Sequence, residues 1–443
     1  MSNTLNSDRE ISELIKKEEQ RQKGTFTLIP SENYASTAVR TAVGSVFANK
    51  YSEGQAGKRY YQGNRVVDDL ERLCKHRALA VFGLNGKDWS VNVQALSGSP
   101  ANLAVYNALI SPGETIMAMY LPDGGHLSHG WQLPEKKITL VSKIWNISFY
   151  HVDPQSRVFD YGKIQRQAEK IRPKLLISGG TAYPREIDYR RMSEIARAAG
   201  ARYLADVAHE AGLIAGGANA SPFPYADIVT MTTHKTLRGP RGALIFSRKA
   251  ISPAIDQSVF PGLQGGPHNH TIAGIAVMLG EANRPEFRIY AARVVKNARL
   301  LARLFVQQGY DVVSGGTDKH LVLVDLRQSG ISAWIAAWAL EFAGLIVNRN
   351  TVPNDTGSSF YPSGLRLGTP AVTTRGFEEP QTEILAGMIF RVLAAVKNLV
   401  LPDDPAERRT FTVEILKKLD KLPEVVKVRQ EVAKLAAIYP VPA

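Results

Sequence analysis

Asp206 closes a short apolar stretch, and Lys235 stands 29 positions further along, inside Thr233-His234-Lys235-Thr236-Leu237-Arg238-Gly239-Pro240-Arg241-Gly242. Around these two residues strand-like and helix-like segments alternate. Residues 174–178 read as a buried strand and residues 189–199 as a helix with Met192, Ile195 and Ala196 on one face; Gly200 suits the helix end, and residues 202–205 read as the next strand. Repeated units of this kind predict a largely parallel sheet between two layers of helices, with ligands bound beyond the carboxyl ends of the strands. Asp206 sits at such an end, so an α/β fold of this class can bring its carboxylate and the Lys235 amine to one ligand.

The 443 residues, 44 % of them hydrophobic, are enough to bury a large core and divide into more than one domain. From Glu286 the pattern shifts to a long helix over residues 289–307 and then to an alternating strand over residues 320–326. The expected division is an N-terminal helix and arm over 1–50, a large domain over 51–285 and a small C-terminal domain over 286–443. The helix expected before Gly24 carries few apolar residues and needs a partner surface. Pro402-Asp403-Asp404-Pro405 marks a turn before the last helices. Cys74 is the one cysteine, which excludes an intramolecular disulfide and a cysteine zinc cluster and points to a reducing compartment. The first ten residues lack the apolar core of a secretory signal and carry early acids, so the cytoplasm is expected. The apolar run over 333–340 stops at Glu341, short of the roughly 20 residues a membrane helix requires, and Trp334 and Trp338 in it read as core. A net charge of +13 attracts anions. The basic residues are nonetheless interspersed with acids, and no nucleic-acid-binding signature accompanies them, so a basic nucleic-acid-binding protein is the distant alternative.

A lone lysine is usually a solvated charge and a lone aspartate after an apolar run is often a helix cap. Together they match the needs of pyridoxal 5'-phosphate (PLP): an amine to hold the aldehyde and an ionised carboxylate to keep the ring nitrogen protonated, so that the ring accepts electrons from a bond broken at Cα. Ser97-Gly98-Ser99-Pro100 opens a helical pattern, and small residues there let N–H groups and two hydroxyls surround a phosphate. The loop Leu121-Pro122-Asp123-Gly124-Gly125-His126-Leu127-Ser128-His129-Gly130 follows a strand over 115–120 and can lay an imidazole against an aromatic ring. Ser363-Gly364-Leu365-Arg366-Leu367-Gly368 offers a guanidinium able to grip an α-carboxylate through two parallel hydrogen bonds.

In consistent order from about residue 29 to residue 376, these motifs resemble serine hydroxymethyltransferases, fold-type I PLP enzymes. Leu28-Ile29-Pro30-Ser31-Glu32-Asn33-Tyr34, Lys50-Tyr51-Ser52-Glu53-Gly54-Gln55-Ala56-Gly57-Lys58-Arg59-Tyr60-Tyr61 and Phe260-Pro261-Gly262-Leu263-Gln264-Gly265-Gly266-Pro267 extend the match. The resemblance implies a mainly parallel seven-stranded large domain, a smaller C-terminal α+β domain, and reversible transfer of the serine hydroxymethyl group to tetrahydrofolate, leaving glycine. It implies that Lys235 carries PLP, Asp206 holds the ring nitrogen's proton, His126 stacks on the ring, and His209, Thr232, Thr181 and His234 support the cofactor. Ser97, Gly98 and Ser99 would cup the phosphate. Arg366, Ser31 and Tyr61 would bind the amino acid, with Glu53 moving the proton at its hydroxyl. Tyr60, Leu121, Gly125, Leu127, Asn350, Ser358, Ser359 and Phe360 would face folate. Tyr51, Glu53, Tyr61 and the Gly266 N–H would reach a partner's site, implying an obligate homodimer with shared active sites, and the resemblance admits a tetramer of two such dimers. A folate-independent PLP aldolase, or a transferase acting on threonine or α-methylserine, is the alternative within the same superfamily. Pro30, Thr181, Glu210, Met231 and Leu263 depart from the family's usual residues. Glu210 brings a charge near the cofactor, and Trp131 is expected to narrow the folate entrance.

Overall fold

The computed structural model describes residues 8–358 and 360–442. Seven strands form its main sheet: β1 (Trp89–Asn92), β2 (Thr115–Met119), β3 (Asn146–Tyr150), β4 (Leu175–Ser178), β5 (Arg202–Asp206), β6 (Ile228–Thr232) and β7 (Ala243–Arg248). Their spatial order is β1-β7-β6-β5-β4-β2-β3, and β7 alone runs antiparallel to its neighbours. Every residue of β4 and β6 is buried, as strands covered by helices on both faces must be. Local chemistry sets the connecting helices. The Asp188 carboxylate caps Tyr189–Ala199 by accepting from the Arg191 N–H at 2.9 Å, and Gly200 ends it in the left-handed region at φ 71°.

A second sheet contains β8 (Asp311–Val312), β9 (Leu321–Asp325), β10 (Asn348–Asn350) and β11 (Gly364–Gly368), in the order β8-β9-β11-β10. The alternation expected of β9 is absent; all five of its residues are buried. Val322 and Val324 pack into the core of the second sheet, whereas Leu323 meets Ala182, Val313 and Val352. Both faces are thereby covered, one of them by the loop after β4. The long helix begins at Pro285, four residues before the expected start, because proline is well suited to a first helical turn. Its early residues Phe287, Tyr290 and Ala291 belong to the core of the main sheet, and its later residues Leu301, Ala302 and Phe305 to the second core.

The N-terminal helix Arg9–Gly24 buries no residue and leaves Ile11, Leu14 and Ile15 exposed. Phe26–Thr27 then pairs in parallel with Leu345–Ile346, which fixes the segment leading to Ser31. Trp334 is buried and Trp338 half-buried against the second core, as their spacing predicts. Among the described residues no helix is long and apolar enough to cross a membrane.

Candidate active site

Loops leaving β1, β2, β4, β5 and β6 meet beyond the carboxyl ends of those strands and enclose a cavity of about 350 Å³. Ser97, Gly98, Ser99, His126, Thr181, Asp206, His209, Thr232, His234, Lys235 and Ser31 all line it, so the fold gathers these sequence-derived candidates at one place. Helix Gly98–Leu109 starts at one end of the cavity without a side-chain cap from Ser97. Its first-turn N–H groups and the flanking hydroxyls are therefore available to an anion, with the helix dipole favouring negative charge. Gly98 is required by close approach: a Cβ there would lie 2.7 Å from Cγ2 of Thr232.

The carboxylate of Asp206 is held from three directions. Its Oδ2 accepts from Asn102 Nδ2 at 2.8 Å and lies 3.0 Å from His129 Nε2, while Oδ1 accepts from the Ala208 N–H at 3.0 Å. Burial alone would raise its pKa, but the hydrogen bond and charge of His129, His126 beyond it, and Asn102 hold it well below the usual carboxylate range. A carboxylate has about four lone-pair directions. With three engaged, one remains for a ring N–H⁺ in the cavity. Sequence reasoning missed the roles of His129 and Asn102, although both stand in motifs it singled out. The available signal was their periodicity, His129 three residues after His126 and Asn102 one helical turn after Gly98.

Lys235 is 7 % exposed, and no hydrogen bond or ion pair of its amine is found among the described residues. Its main chain is tightly fixed. The Lys235 carbonyl accepts from Asn33 Nδ2 at 3.0 Å and from the Arg238 N–H at 3.1 Å, and the neighbouring Thr236 hydroxyl donates to the His209 carbonyl at 2.9 Å. Burial, with the positive charges of Arg366 and Arg241, lowers the amine pKa to about 8 against the opposing pull of Asp206. Only a neutral amine attacks an aldehyde. Reloading of cofactor-free protein with PLP is accordingly expected to accelerate with pH up to about 8 and level off above it. Stopped-flow absorbance across that range checks this, and an inflection near the ordinary lysine value would show that burial does not act on this amine.

His126 is pushed down to about 4, chiefly by burial and then by His129, so its ring is neutral at physiological pH. Its Nδ1 accepts from the Ser128 N–H at 3.2 Å, which fixes the ring at the cavity wall. His234 is lowered to about 3 by burial and by Arg241 and Lys235. Burial also drives His209 far below its usual value. Arg366 is 6 % exposed and does not itself line the cavity; it lies behind Thr181, donating from Nη1 to the Thr181 carbonyl at 2.7 Å and from Nε to Asn348 Oδ1 at 3.1 Å. These bonds orient the guanidinium and leave Nη2 without a protein partner among the described residues.

A second group of candidates stands apart from this cavity. The Tyr51 hydroxyl donates to Glu53 Oε1 at 3.1 Å, the Tyr51 and Tyr61 rings lie 5.1 Å apart, and a Cβ on Gly266 would touch the Tyr51 ring at 3.0 Å. Tyr60 packs on Phe260 and is 70 % exposed. Of the residues expected to face folate, Leu121 opens a short turn, Gly125 approaches Met119 O too closely for any Cβ, and Leu127 is exposed. Asn350 pairs with Gly364 in the second sheet, and the Ser358 hydroxyl accepts from the Tyr361 N–H at 3.3 Å; Phe360 is exposed, and Ser359 lies outside the described residues. Trp131 packs against Tyr120 beside the His126 loop.

The cavity passes a test of fit for PLP that does not depend on likeness. Thr181, His209 and His234 belong to its lining, and Thr181 Oγ1, His209 Nε2 and His234 Nδ1 are buried without a hydrogen-bond partner among the described residues. Orphaned polar atoms of this kind carry a cost that a polar ligand relieves. With a lysine beyond one strand, an ionised aspartate beyond the next and an anion site at a helix start, the fold and site define a fold-type I PLP-dependent enzyme. A family model described as serine hydroxymethyltransferase matches residues 4–389. The probable cytosolic serine hydroxymethyltransferase of Schizosaccharomyces pombe is 45 % identical over 449 residues, covering 98 % of this chain and 96 % of the relative; the mitochondrial one of the same yeast is 45 % identical over 452 residues, covering 98 % and 92 %. Serine hydroxymethyltransferase 3, chloroplastic, of Arabidopsis thaliana is 49 % identical over 388 residues, 86 % of this chain and 73 % of the relative. The chain belongs to the serine hydroxymethyltransferase family, whose members are PLP-dependent transferases that use tetrahydrofolate as the one-carbon acceptor.

Proposed function

We propose that this chain interconverts serine and glycine in a cleft shared by two copies of itself. The observation that carries the reading is the separation of Glu53, Tyr51 and Tyr61 from the Lys235 cavity within one chain. A proton-transfer carboxylate is useless away from the reacting atoms. Exposure of Val46, Tyr51, Tyr60, Tyr61 and Val66 leaves an apolar surface around Glu53 that a second copy would cover, placing each Glu53 at its partner's lysine.

PLP, when bound, supplies an electrophilic carbon for an amine and a protonated ring that accepts electrons from Cα. Arg366 and Ser31 would hold the substrate carboxylate and so orient the substituents at Cα. Asp206 stays ionised and retains the ring-nitrogen proton, His126 covers one ring face as a neutral imidazole, and Thr181, His209, Thr232 and His234 meet the cofactor's polar edge. Ser97, Gly98, Ser99 and the partner's Gly266 N–H receive its phosphate, with the partner's Tyr51 beside them. Lys235 would hold the cofactor aldehyde through its buried amine. Glu53 moves the proton at the substrate hydroxyl, Tyr61 closes over the amino acid, and Tyr60, Leu121, Gly125, Leu127, Asn350, Ser358, Ser359 and Phe360 receive the pterin. In this proposal residues 1–50 form the N-terminal helix and arm, residues 51–285 the large domain and residues 286–443 the small domain. The buried free thiol of Cys74 favours a reducing compartment, and the cytosol is the proposed location.

Co-expression tests the shared site. Lys235→Ala and Glu53→Gln chains, each inactive alone, are expected to recover about a quarter of the wild-type tetrahydrofolate-dependent conversion of serine to glycine, because half of random pairs are mixed and one of their two sites is intact. No recovery would mean that each chain builds its site alone. Glycine formation that ignores tetrahydrofolate would point to an aldolase.

A further inference from the structure

His209 is held from behind by a part of the chain that has no role in the reaction described above. The segment over residues 314–320 precedes β9 and crosses back onto loops of the main sheet. The Thr317 hydroxyl donates to the Pro184 carbonyl at 3.0 Å, Arg185 Nη1 to Asp318 Oδ1 at 3.1 Å, and Asn219 Nδ2 to the Asp318 carbonyl at 3.1 Å. Where this crossing ends, two consecutive residues face two consecutive residues. His320 Nε2 lies 3.2 Å from His209 Nδ1, with the two rings edge to edge at an interplanar angle of 25°, and Lys319 Nζ lies 2.6 Å from Glu210 Oε2. The other Glu210 oxygen accepts the Tyr189 hydroxyl at 2.8 Å. None of the four residues is more than 4 % exposed.

We propose that Lys319 and His320 are positioning residues for His209: the ion pair to Glu210 pins the crossing segment, and the imidazole–imidazole hydrogen bond fixes the nitrogen that His209 turns to the edge of PLP. The proposal rests on reading the cavity as the PLP site. A neutral imidazole has one donor and one acceptor nitrogen, and a ring free to turn can offer either. Engaging Nδ1 with His320 leaves Nε2, which has no protein partner among the described residues, for the cavity. The charged and titratable groups facing His209 are Lys235, Arg366, His126 and His320, and those facing His320 are Lys319, Lys235 and Arg366. With burial they keep both rings uncharged, so the bond between them is a donor–acceptor pair. Glu210 keeps Lys319 from being an unpaired buried cation, which would draw the segment toward water. Glu210, which departs from the family's usual residue, thus has a buried partner of opposite charge in the segment that leads into β9.

The test titrates the visible absorbance of PLP-loaded protein across neutral to alkaline pH and measures kcat and KM for serine. His320→Phe is expected to move the titration midpoint by about half a pH unit or more. It is also expected to lower kcat roughly tenfold, with KM for serine changed less than about twofold. His320→Gln, whose amide reaches the same place, returns most of both. An unchanged midpoint in His320→Phe overturns the proposal, and so does a glutamine variant as impaired as phenylalanine. If the phenylalanine variant fails to fold, the Lys319–Glu210 contact carries the test. Glu210→Leu is expected to lower Tm of cofactor-free protein and Glu210→Leu/Lys319→Met to recover it, since apolar groups of similar size replace a buried pair well. A double variant as unstable as the single one overturns the pairing. Wild-type protein that takes up no PLP would refute the cofactor reading instead, and the Tm comparison is made without cofactor.

Discussion

Lys235→Ala is expected to lose the long-wavelength absorbance of the PLP-loaded protein and to turn over serine at least about 10³-fold more slowly, the scale on which removing the residue of a covalent step is felt. The substitution removes an amine whose burial already costs stability and which has no ion-pair partner among the described residues. Loss of that charge offsets the small void left by the side chain. The fold is therefore expected to survive, held at this point by Asn33 and Arg238 on the Lys235 carbonyl, which alanine retains. Absorbance spectra beside thermal melts separate the two effects. A variant that keeps the visible band would remove Lys235 from the covalent role.

Arg366→Ala is expected to weaken serine and glycine binding by about 2–5 kcal/mol, or roughly 30-fold to several thousand-fold, as when one member of a buried charge-assisted pair is truncated. Burial lowers the Arg366 pKa to about 10, which still leaves it charged at physiological pH. The guanidinium also satisfies the Thr181 carbonyl and Asn348 Oδ1, and each orphaned acceptor adds a cost of about 1–3 kcal/mol to stability. Arg366→Lys distinguishes the two losses, because an ammonium preserves charge but not the planar fork. It is expected to bind serine with intermediate affinity and melt near the wild type. Spectral titration of the loaded protein with serine measures this, and equal affinity in the alanine variant would dismiss Arg366 as the carboxylate anchor.

Residues that line the cavity where a strand ends were legible in the amino-acid order. Asp206, His209, Lys235 and Ser97 each announce themselves by composition a few positions beyond an apolar run, because strand ends and helix starts are local events. Contacts made by the folded chain across large separations were not. Asn33 lies 202 positions from the Lys235 carbonyl it holds, and Glu210 finds Lys319 only once the second sheet docks. The full burial of β9 was hidden for the same reason: its second face is covered by a loop at Ala182. Exposure of Glu53 and its tyrosines within one chain likewise follows from three-dimensional placement.

Because the helix Pro285–Gln307 lends its first turns to one apolar interior and its last turns to the other, melting of either half is expected to destabilise its neighbour. Fraying of the smaller half would strip side chains from the larger one and loosen the crossing that ends at His320. Opening of the smaller half is therefore expected to be felt at the cavity of the larger one.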